Sequence, residues 1–216
     1  MTGIEGFKNL TYLSAVSHEI KHIDLSSNTK LDSLYLNGNN LSVIDFEKNT
    51  ALIEVQIMSN AIHTINGLQY AKKLKNLYAS YNDLSNFSLE NNAIEQFYVS
   101  DNLLEKLDIT KAPNLTNLYA ISNKINKLDL SRNQKLETLD VSGNKISEIE
   151  LQNNIALTYA RMRSNQLSEL DVSNNPKLID LRVTSNPNLK CIQIGTNQSI
   201  PNLFLSEDQN TNASCN

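Results

Sequence analysis

Tyrosine and arginine side chains recur in this chain at intervals close to 21 residues, so a regular fold would gather them on one surface. One column of positions reads Ser14, Tyr35, Gln56, Tyr78, Tyr98, Tyr119, Asp140, Arg161 and Arg182. The column two residues earlier reads Tyr12, Ser33, Glu54, Asn76, Gln96, Asn117, Thr138, Tyr159 and Asp180. These side chains offer non-covalent recognition, because tyrosine joins a rigid apolar ring to a polar tip and arginine is a planar cation.

Six of the eight tyrosines fall in these columns, whereas Phe46, Phe87 and Phe97 fall at apolar positions of the repeat. A contact surface favours tyrosine in this way. The predicted ligand-binding residues are Tyr35, Tyr78, Tyr98, Tyr119, Asp140, Tyr159, Arg161, Arg163 and Arg182. The alternative is that the tyrosines only pack across neighbouring strands. The arginines are either anchors for an acidic group on a partner or a solvated charge cluster.

Catalytic or metal-binding chemistry has little support in the sequence. His18, His22 and His63 have no cysteine or histidine at metal-ligand spacing. The chain carries no phosphate loop, nucleophile elbow or zinc motif. We therefore predict no enzymatic activity, no catalytic residues, no metal site and no cofactor.

One acidic column could be read as a calcium ladder: Asp24, Asp45, Asp108, Asp129, Glu150 and Asp171. Its Leu-Asp-Leu context lacks the glycine-rich turns of calcium-binding repeats. The favoured interpretation is that each carboxylate accepts a hydrogen bond from the backbone of the neighbouring coil.

The two cysteines, Cys191 and Cys215, both lie near the C-terminal end. A disulfide between them would stabilise this stretch by roughly 3 kcal/mol through loop closure. It would also imply an oxidising compartment. The alternative is two free thiols.

The element that must position all these side chains is a repeat of the form LxxLxLxxNxLxxLxLxxNxx. Its first apolar residue recurs as Leu10, Leu31, Leu52, Leu74, Ile94, Leu115, Leu136, Leu157 and Leu178. The steps are 21 residues except for one of 22 followed by one of 20, around Asn66 to Ala71. A fixed period of this kind predicts a solenoid.

An asparagine recurs eight residues after that first position, where its amide can pair with backbone groups that a turn leaves unpaired. We predict a structural asparagine ladder of Asn39, Asn60, Asn82, Asn102, Asn123, Asn144, Asn165 and Asn186. The alternating LxL segment of each repeat predicts one short strand per coil, stacked in parallel into a sheet. The other half of each coil has no room for a helix, so we expect it to be extended or turn-like.

The pattern divides the chain into a short N-terminal cap (1–9), about nine repeats (10–194) and a C-terminal cap or tail (195–216). The net charge of −4 with both signs scattered gives no indication of a nucleic-acid partner. No apolar run is long enough to cross a membrane. No leader follows Met1, so the chain is either intracellular or, as we favour, a mature fragment given a start methionine.

The repeats at 136–154 and 157–175, with Ile65-Asn66-Gly67-Leu68 and the entry at Ile4 to Leu10, resemble the 21-residue leucine-rich repeats of the bacterial internalin family, in particular the internalin J type. The resemblance implies a right-handed leucine-rich repeat coil with a parallel β-sheet on one face and little helix. One departure is that the cysteine ladder of that type is absent.

The resemblance also implies a secreted or cell-surface recognition module, and we expect a monomer whose strand face binds a protein, such as a host or cell-surface protein. Two alternatives remain at this stage. The strand face could bind a carbohydrate, or the solenoid could be a structural spacer or scaffold within a larger protein.

Overall fold

The structure, a computed structural model, describes residues 1–215. Within them the chain forms seventeen short strands: β1 (Tyr12–Ser14), β2 (Ser33–Tyr35), β3 (Val43–Asp45), β4 (Glu54–Gln56), β5 (Thr64–Asn66), β6 (Asn76–Tyr78), β7 (Asn86–Ser88), β8 (Gln96–Tyr98), β9 (Lys106–Asp108), β10 (Asn117–Tyr119), β11 (Thr138–Asp140), β12 (Tyr159–Arg161), β13 (Leu170–Asp171), β14 (Asp180–Arg182), β15 (Cys191–Gln193), β16 (Asn202–Phe204) and β17 (Asn210–Asn212).

Ten of these strands form one sheet along a side of the solenoid, in the order β1-β2-β4-β6-β8-β10-β11-β12-β14-β16. Every pair in it is parallel, and each residue lies opposite its equivalent in the next coil, as Tyr78 lies opposite Tyr98. The constant repeat length sets this register, since the same position returns once per coil. The predicted solenoid with one parallel strand per coil is confirmed.

The opposite side of the coil carries only small parallel sheets, β3-β5, β7-β9 and β13-β15-β17, separated by extended and turn segments. The helical content of residues 1–215 is two 3₁₀ turns, Ile4–Gly6 and Leu68–Tyr70. The expectation of little helix is therefore confirmed. None of the helical segments in this range has the length or apolarity needed to span a bilayer.

The second 3₁₀ turn lies where the repeat length changes from 22 to 20 residues. It is preceded by Gly67, whose φ of 76° is in the left-handed region. A Cβ on Gly67 would lie 2.2 Å from the backbone nitrogen of Glu47 in the preceding coil. Glycine is thus required here on both conformational and steric grounds.

The core consists of the apolar positions of the repeat, which point into the coil between the two sides. Leu34, Leu77, Phe97 and Leu118 are all 0% exposed. Their polar neighbours on either side point outward, because successive strand residues face opposite sides of a sheet.

All eight predicted ladder asparagines hold neighbouring coils together. At Asn123 the amide nitrogen donates to the carbonyl of Val99 at 3.0 Å and to that of Ala120 at 3.3 Å. Its Oδ1 accepts from the backbone nitrogen of Leu104 at 3.0 Å. Each side chain therefore pairs with its own turn and with the coil before it.

A second asparagine ladder, which the sequence analysis missed, lies at the opposite turn: Asn28, Asn49, Asn91, Asn133, Asn154 and Asn175. Each amide nitrogen donates to two carbonyls of the preceding coil. For Asn133 these are Ile109 at 3.1 Å and Ala112 at 2.9 Å. The two ladders flank the core on both sides.

The C-terminal segment continues the solenoid further than the sequence pattern indicated. Strand β16 adds to the large sheet beside β14, and β17 adds to the small sheet beside β15. Gln198 and Gln209 replace asparagine, since each amide nitrogen donates to two carbonyls of an earlier coil. A disulfide joins Cys191 in β15 to Cys215 beyond β17, with Cα atoms 5.8 Å apart.

One residue per coil adopts a left-handed backbone just after the strand of the large sheet. The position holds Ser17, Gly38, Ser59, Tyr81, Asp101, Ser122, Gly143, Ser164 and Ser185. Only glycine accepts this conformation without steric cost. Tyr81, with φ of 59° and 58% of its surface exposed, combines a bulky side chain with few contacts to lose.

We expect Tyr81→Gly to raise the free energy of unfolding by about 1 kcal/mol, the cost of holding a non-glycine residue in the left-handed region. The reverse change, Gly143→Tyr, should lower it by a similar amount, because Gly143 has φ of 69° at the equivalent position. Urea unfolding followed by circular dichroism measures both changes. Destabilisation by Tyr81→Gly would show that the ring makes contacts worth more than the strain.

Candidate ligand-binding face

The outward side of the large sheet brings the two predicted columns together as one continuous surface, here called the strand face. Strand pairing places the central column in the order Ser14, Tyr35, Gln56, Tyr78, Tyr98, Tyr119, Asp140, Arg161, Arg182 and Phe204. Successive members lie on neighbouring strands, about 4.8 Å apart. Residues from ten coils can therefore contact one ligand.

The centre of the strand face is the tyrosine cluster, Tyr78, Tyr98 and Tyr119. The ring centroids of Tyr78 and Tyr98 are 4.9 Å apart with planes at 88°, and those of Tyr98 and Tyr119 are 4.5 Å apart at 69°. These edge-to-face contacts are the favourable arrangement for aromatic rings. All three side chains remain partly exposed. Cross-strand packing and an accessible surface therefore coexist at the same residues.

The hydroxyl groups of Tyr78 and Tyr98 stay protonated at neutral pH. Partial burial raises the pKa of Tyr78 and of Tyr98 above the usual value for tyrosine. The Tyr78 hydroxyl donates to Oε1 of Gln96 at 3.1 Å. Tyr78 and Tyr98 thus present neutral hydroxyl groups that can form hydrogen bonds, on an apolar base of aromatic rings.

A second aromatic pair, Tyr12 and Tyr35, lies towards the N-terminal end with ring centroids 5.4 Å apart. Gln56 separates this pair from the tyrosine cluster. Its amide nitrogen donates to Glu54 at 2.8 Å, and its oxygen accepts from Asn37 at 3.0 Å. The aromatic surface is therefore interrupted by one polar strand.

The predicted arginines lie at the C-terminal end of the strand face and share one carboxylate. Arg182 donates through Nε and Nη2 to the two oxygens of Asp180, both at 2.8 Å, and Arg161 donates through Nε to the same group at 3.1 Å. The Asp180 side chain is 4% exposed. The hydrogen bond from Arg182 lowers the pKa of Asp180 despite its burial, so the carboxylate stays ionised.

Phe204 is a strand-face residue that the sequence analysis missed. The guanidinium carbon of Arg182 lies 4.5 Å from the centroid of its ring, and that of Arg163 lies 5.7 Å from it. The ring is 43% exposed. The apolar run Leu203-Phe204-Leu205 could have indicated a further strand here. It was not assigned to one because the 21-residue repeat pattern ends near residue 194.

Asp140 is the one predicted ligand-binding residue that is buried. It is only 7% exposed on the strand face, and its Oδ1 accepts from the backbone nitrogen of Ser142 at 3.1 Å. Tyr159, also predicted, is 36% exposed, and the guanidinium of Arg161 lies 5.7 Å from its ring centroid. In this structure Asp140 is shielded from a ligand, whereas Tyr159 is accessible.

The acidic side chains on the other side of the coil accept hydrogen bonds from residues of their own turn. We had expected them to accept from the backbone of the neighbouring coil. Oδ1 of Asp129 accepts from the backbone nitrogen of Ser131 at 2.9 Å, and Asp171 does the same with Ser173 at 2.8 Å. Hydrogen bonds to Ser131 lower the pKa of Asp129. Over residues 1–215, no three acidic, histidine or cysteine side chains converge as a metal site would need.

The comparisons with known proteins agree with this architecture. The family model of the Leucine Rich Repeat matches residues 135–154. No curated protein matches the chain. Among solved structures, the functional domain of InlJ from Listeria monocytogenes is 23% identical with a TM-score of 0.59, over 95% of this chain and 59% of that one. YopM from Yersinia enterocolitica WA-314 is 26% identical with a TM-score of 0.70, over 82% of this chain and 38% of that one.

TLR13, solved in a complex with ssRNA13, is also similar in fold, at 18% identity and a TM-score of 0.68 over 88% of this chain and 33% of that one. The chain thus spans about three fifths of the matched InlJ chain and less than half of the other two. Together with the 21-residue period and the parallel sheet, these likenesses confirm the fold of a leucine-rich repeat coil.

Proposed function

We propose that this leucine-rich repeat coil is a non-catalytic recognition module that binds a protein ligand through its strand face. The observation that carries the proposal is the tyrosine cluster. Three tyrosines pack edge-to-face on consecutive strands of the exposed side, while Phe97, at an apolar position of the coil that carries Tyr98, is fully buried. Tyrosine is enriched at the centres of protein interfaces because its ring packs while its hydroxyl finds a partner.

In this proposal the tyrosine cluster is the centre of the interface, and Arg161 and Arg182 are its flanking anchors. The leucine-rich repeat fold is a common scaffold for protein recognition, which supports the proposal. We further propose a secreted or bacterial cell-surface location, as in an adhesin. The disulfide between Cys191 and Cys215 supports it, because such bonds persist mainly in oxidising compartments.

A carbohydrate ligand is the second candidate, favoured by the hydrogen bond of 3.1 Å between Tyr78 and Gln96. That contact places a planar amide beside an aromatic ring, a combination that also suits sugars. A glycan array probed with the labelled protein separates the candidates. Saturable binding to a defined glycan that Gln96→Ala abolishes would favour the carbohydrate.

The test of the protein ligand is the triple variant Tyr78→Ala, Tyr98→Ala and Tyr119→Ala. Immobilised wild-type and variant chains are used to capture cell-surface proteins, and affinities for each captured protein are then measured by calorimetry. We expect the variant to bind at least about 30-fold more weakly, because interface-centre aromatics contribute about 2 kcal/mol or more. Circular dichroism should show an unchanged fold.

The matched control is Tyr70→Ala, since Tyr70 is 47% exposed but lies in the 3₁₀ turn away from the strand face. It should bind as the wild type does. A ligand that binds the triple variant with wild-type affinity would contradict the proposed interface.

A further inference from the structure

The C-terminal end of the strand face concentrates positive charge in a chain whose net charge is −4. Arg161, Arg163 and Arg182 lie on two neighbouring strands and the turn after one of them, and Phe204 lies on the next strand of the sheet. We call these four residues, with Asp180, the arginine cluster. It adjoins the tyrosine cluster, from which only the strand that carries Asp140 separates it.

The guanidinium of Arg182 is held by one of its edges. Its Nε and Nη2 both donate to Asp180, whereas Nη1 has no hydrogen-bond partner within residues 1–215. Arg161 uses Nε alone, so both of its Nη atoms lack partners in the same range. The guanidinium groups of Arg161 and Arg182 are thus oriented by a shared carboxylate, and each retains N–H groups that can donate to a ligand.

Phe204 holds the same groups from another direction. Its ring stacks against Arg182 at 4.5 Å and lies 5.7 Å from Arg163. The Nε of Arg163 is buried and has no partner in the described chain. Stacking occupies the face of a guanidinium and leaves its edge free for hydrogen bonds.

The charge that a ligand would meet at the arginine cluster is positive. Asp180, the one carboxylate of the cluster, is 3% exposed, and Asp140 on the neighbouring strand is 7% exposed. The side chains of Arg161 and Arg182 are 29% and 28% exposed. The buried Asp180 therefore orients Arg161 and Arg182 from below, and the two guanidinium groups remain partly exposed.

From this arrangement we infer that the arginine cluster is a carboxylate-binding subsite for an acidic segment of the protein ligand. The inference rests on the proposed function and adds the chemistry of the partner. A guanidinium can form two parallel hydrogen bonds with the two oxygens of a carboxylate. An arginine side chain that is already held in place loses less entropy on binding than a mobile one. Asp180 and Phe204 act as positioning residues.

The spacing further specifies the acidic segment. Arg161 lies two strands beyond Tyr119, which is about 10 Å along the sheet. An extended peptide advances about 3.3 Å per residue. A segment that follows the solenoid axis would therefore carry its acidic side chain about three residues from the apolar side chain that packs on the tyrosine cluster.

A phosphate backbone fits these observations less well. Nucleic-acid binding commonly neutralises six or more phosphates, whereas this cluster has three arginines, two of which are paired with Asp180. The rings of the tyrosine cluster are also engaged edge-to-face with each other, so they do not form a flat platform for stacked bases.

The experiment is a titration of the ¹⁵N-labelled full chain, followed through the Nε–Hε resonances of its arginines. The chain has four arginines, and Arg132, on an exposed turn, is the internal reference. The probes are a capped hexaglutamate peptide, a hexalysine peptide, sodium sulfate and a single-stranded uridine hexamer. Hexaglutamate should shift Arg161 and Arg182 saturably and leave Arg132 unchanged, whereas hexalysine should shift none of them.

The double variant Arg161→Gln and Arg182→Gln should weaken hexaglutamate binding at least tenfold, the equivalent of one lost hydrogen bond to a charged group. Arg132→Gln should not change it. The wild-type titration stands alone if the double variant fails to fold.

Equal shifts at Arg132, no saturation, or tighter binding of sulfate or the uridine hexamer would overturn the inference. These outcomes are distinct from a failure of the proposed function. A natural ligand lost by the triple tyrosine variant but retained by the double arginine variant would overturn the subsite alone.

Discussion

Replacing Phe97 by alanine is expected to lower the free energy of unfolding by about 4 kcal/mol, whereas replacing the adjacent Tyr98 should lower it by about 1 kcal/mol. The two residues are neighbours in β8, but Phe97 is 0% exposed and Tyr98 is partly exposed on the strand face. Removing the Phe97 ring leaves a cavity in the core beside Phe87, whose ring centroid is 5.6 Å away. Removing the Tyr98 ring loses the edge-to-face contacts with Tyr78 and Tyr119 but does not open a cavity in the core.

Urea unfolding of the two single variants measures this contrast. The chain has no tryptophan, so unfolding is followed by circular dichroism. Phe97→Leu is the matched control for the core position, because it keeps most of the apolar volume and should cost much less than alanine. Equal losses for Phe97→Ala and Tyr98→Ala would show that the tyrosines act mainly as core, which would weaken the proposed interface.

Replacing Asn123 by alanine is expected to lower the free energy of unfolding by about 3 kcal/mol, chiefly because the buried Leu104 N–H loses its acceptor. The carbonyls that Asn123 contacts are less affected. Val99 still accepts from Asn102, and Ala120 still accepts from Asn144. The cost is thus that of one orphaned donor together with several weakened acceptors.

The control is Asn153→Ala, an exposed asparagine that precedes the buried Asn154. It should change stability by less than about 0.5 kcal/mol, as surface substitutions usually do. Amide hydrogen exchange gives a local readout, since the Leu104 amide should exchange faster in Asn123→Ala. An unchanged rate at Leu104 would mean that another acceptor replaces Asn123.

Much of the fold could be predicted because one period determines several levels of structure. The 21-residue spacing places Tyr98 opposite Tyr119 and Phe97 opposite Leu118, so register and facing follow from the count alone. Alternation then separates inward from outward residues. The asparagines eight positions after the first apolar residue of each repeat could be assigned to turns, because an amide side chain can both donate to and accept from the backbone.

The parts that could not be predicted depend on individual contacts. The second asparagine ladder was present in the repeat pattern, yet nothing in the spacing showed that Asn133 pairs with carbonyls of the coil before it. Asp140 and Asp180 occupy outward positions of the strands but are only 7% and 3% exposed. Phe204 joins the strand face because the C-terminal segment adds β16 to the large sheet beside β14. This segment lacks the repeated asparagine, and Gln209 donates to the carbonyl of Val183 instead.

The disulfide between Cys191 and Cys215 has a mechanical consequence. Tension applied to the two ends of the chain would peel coils away singly, since each contacts only its neighbours. At the C-terminal end the covalent bridge spans a sequence separation of 24 and carries the load directly to Cys191. Strands β16 and β17 lie within the bypassed loop, so they bear no tension and contribute no contour length while the bridge is intact.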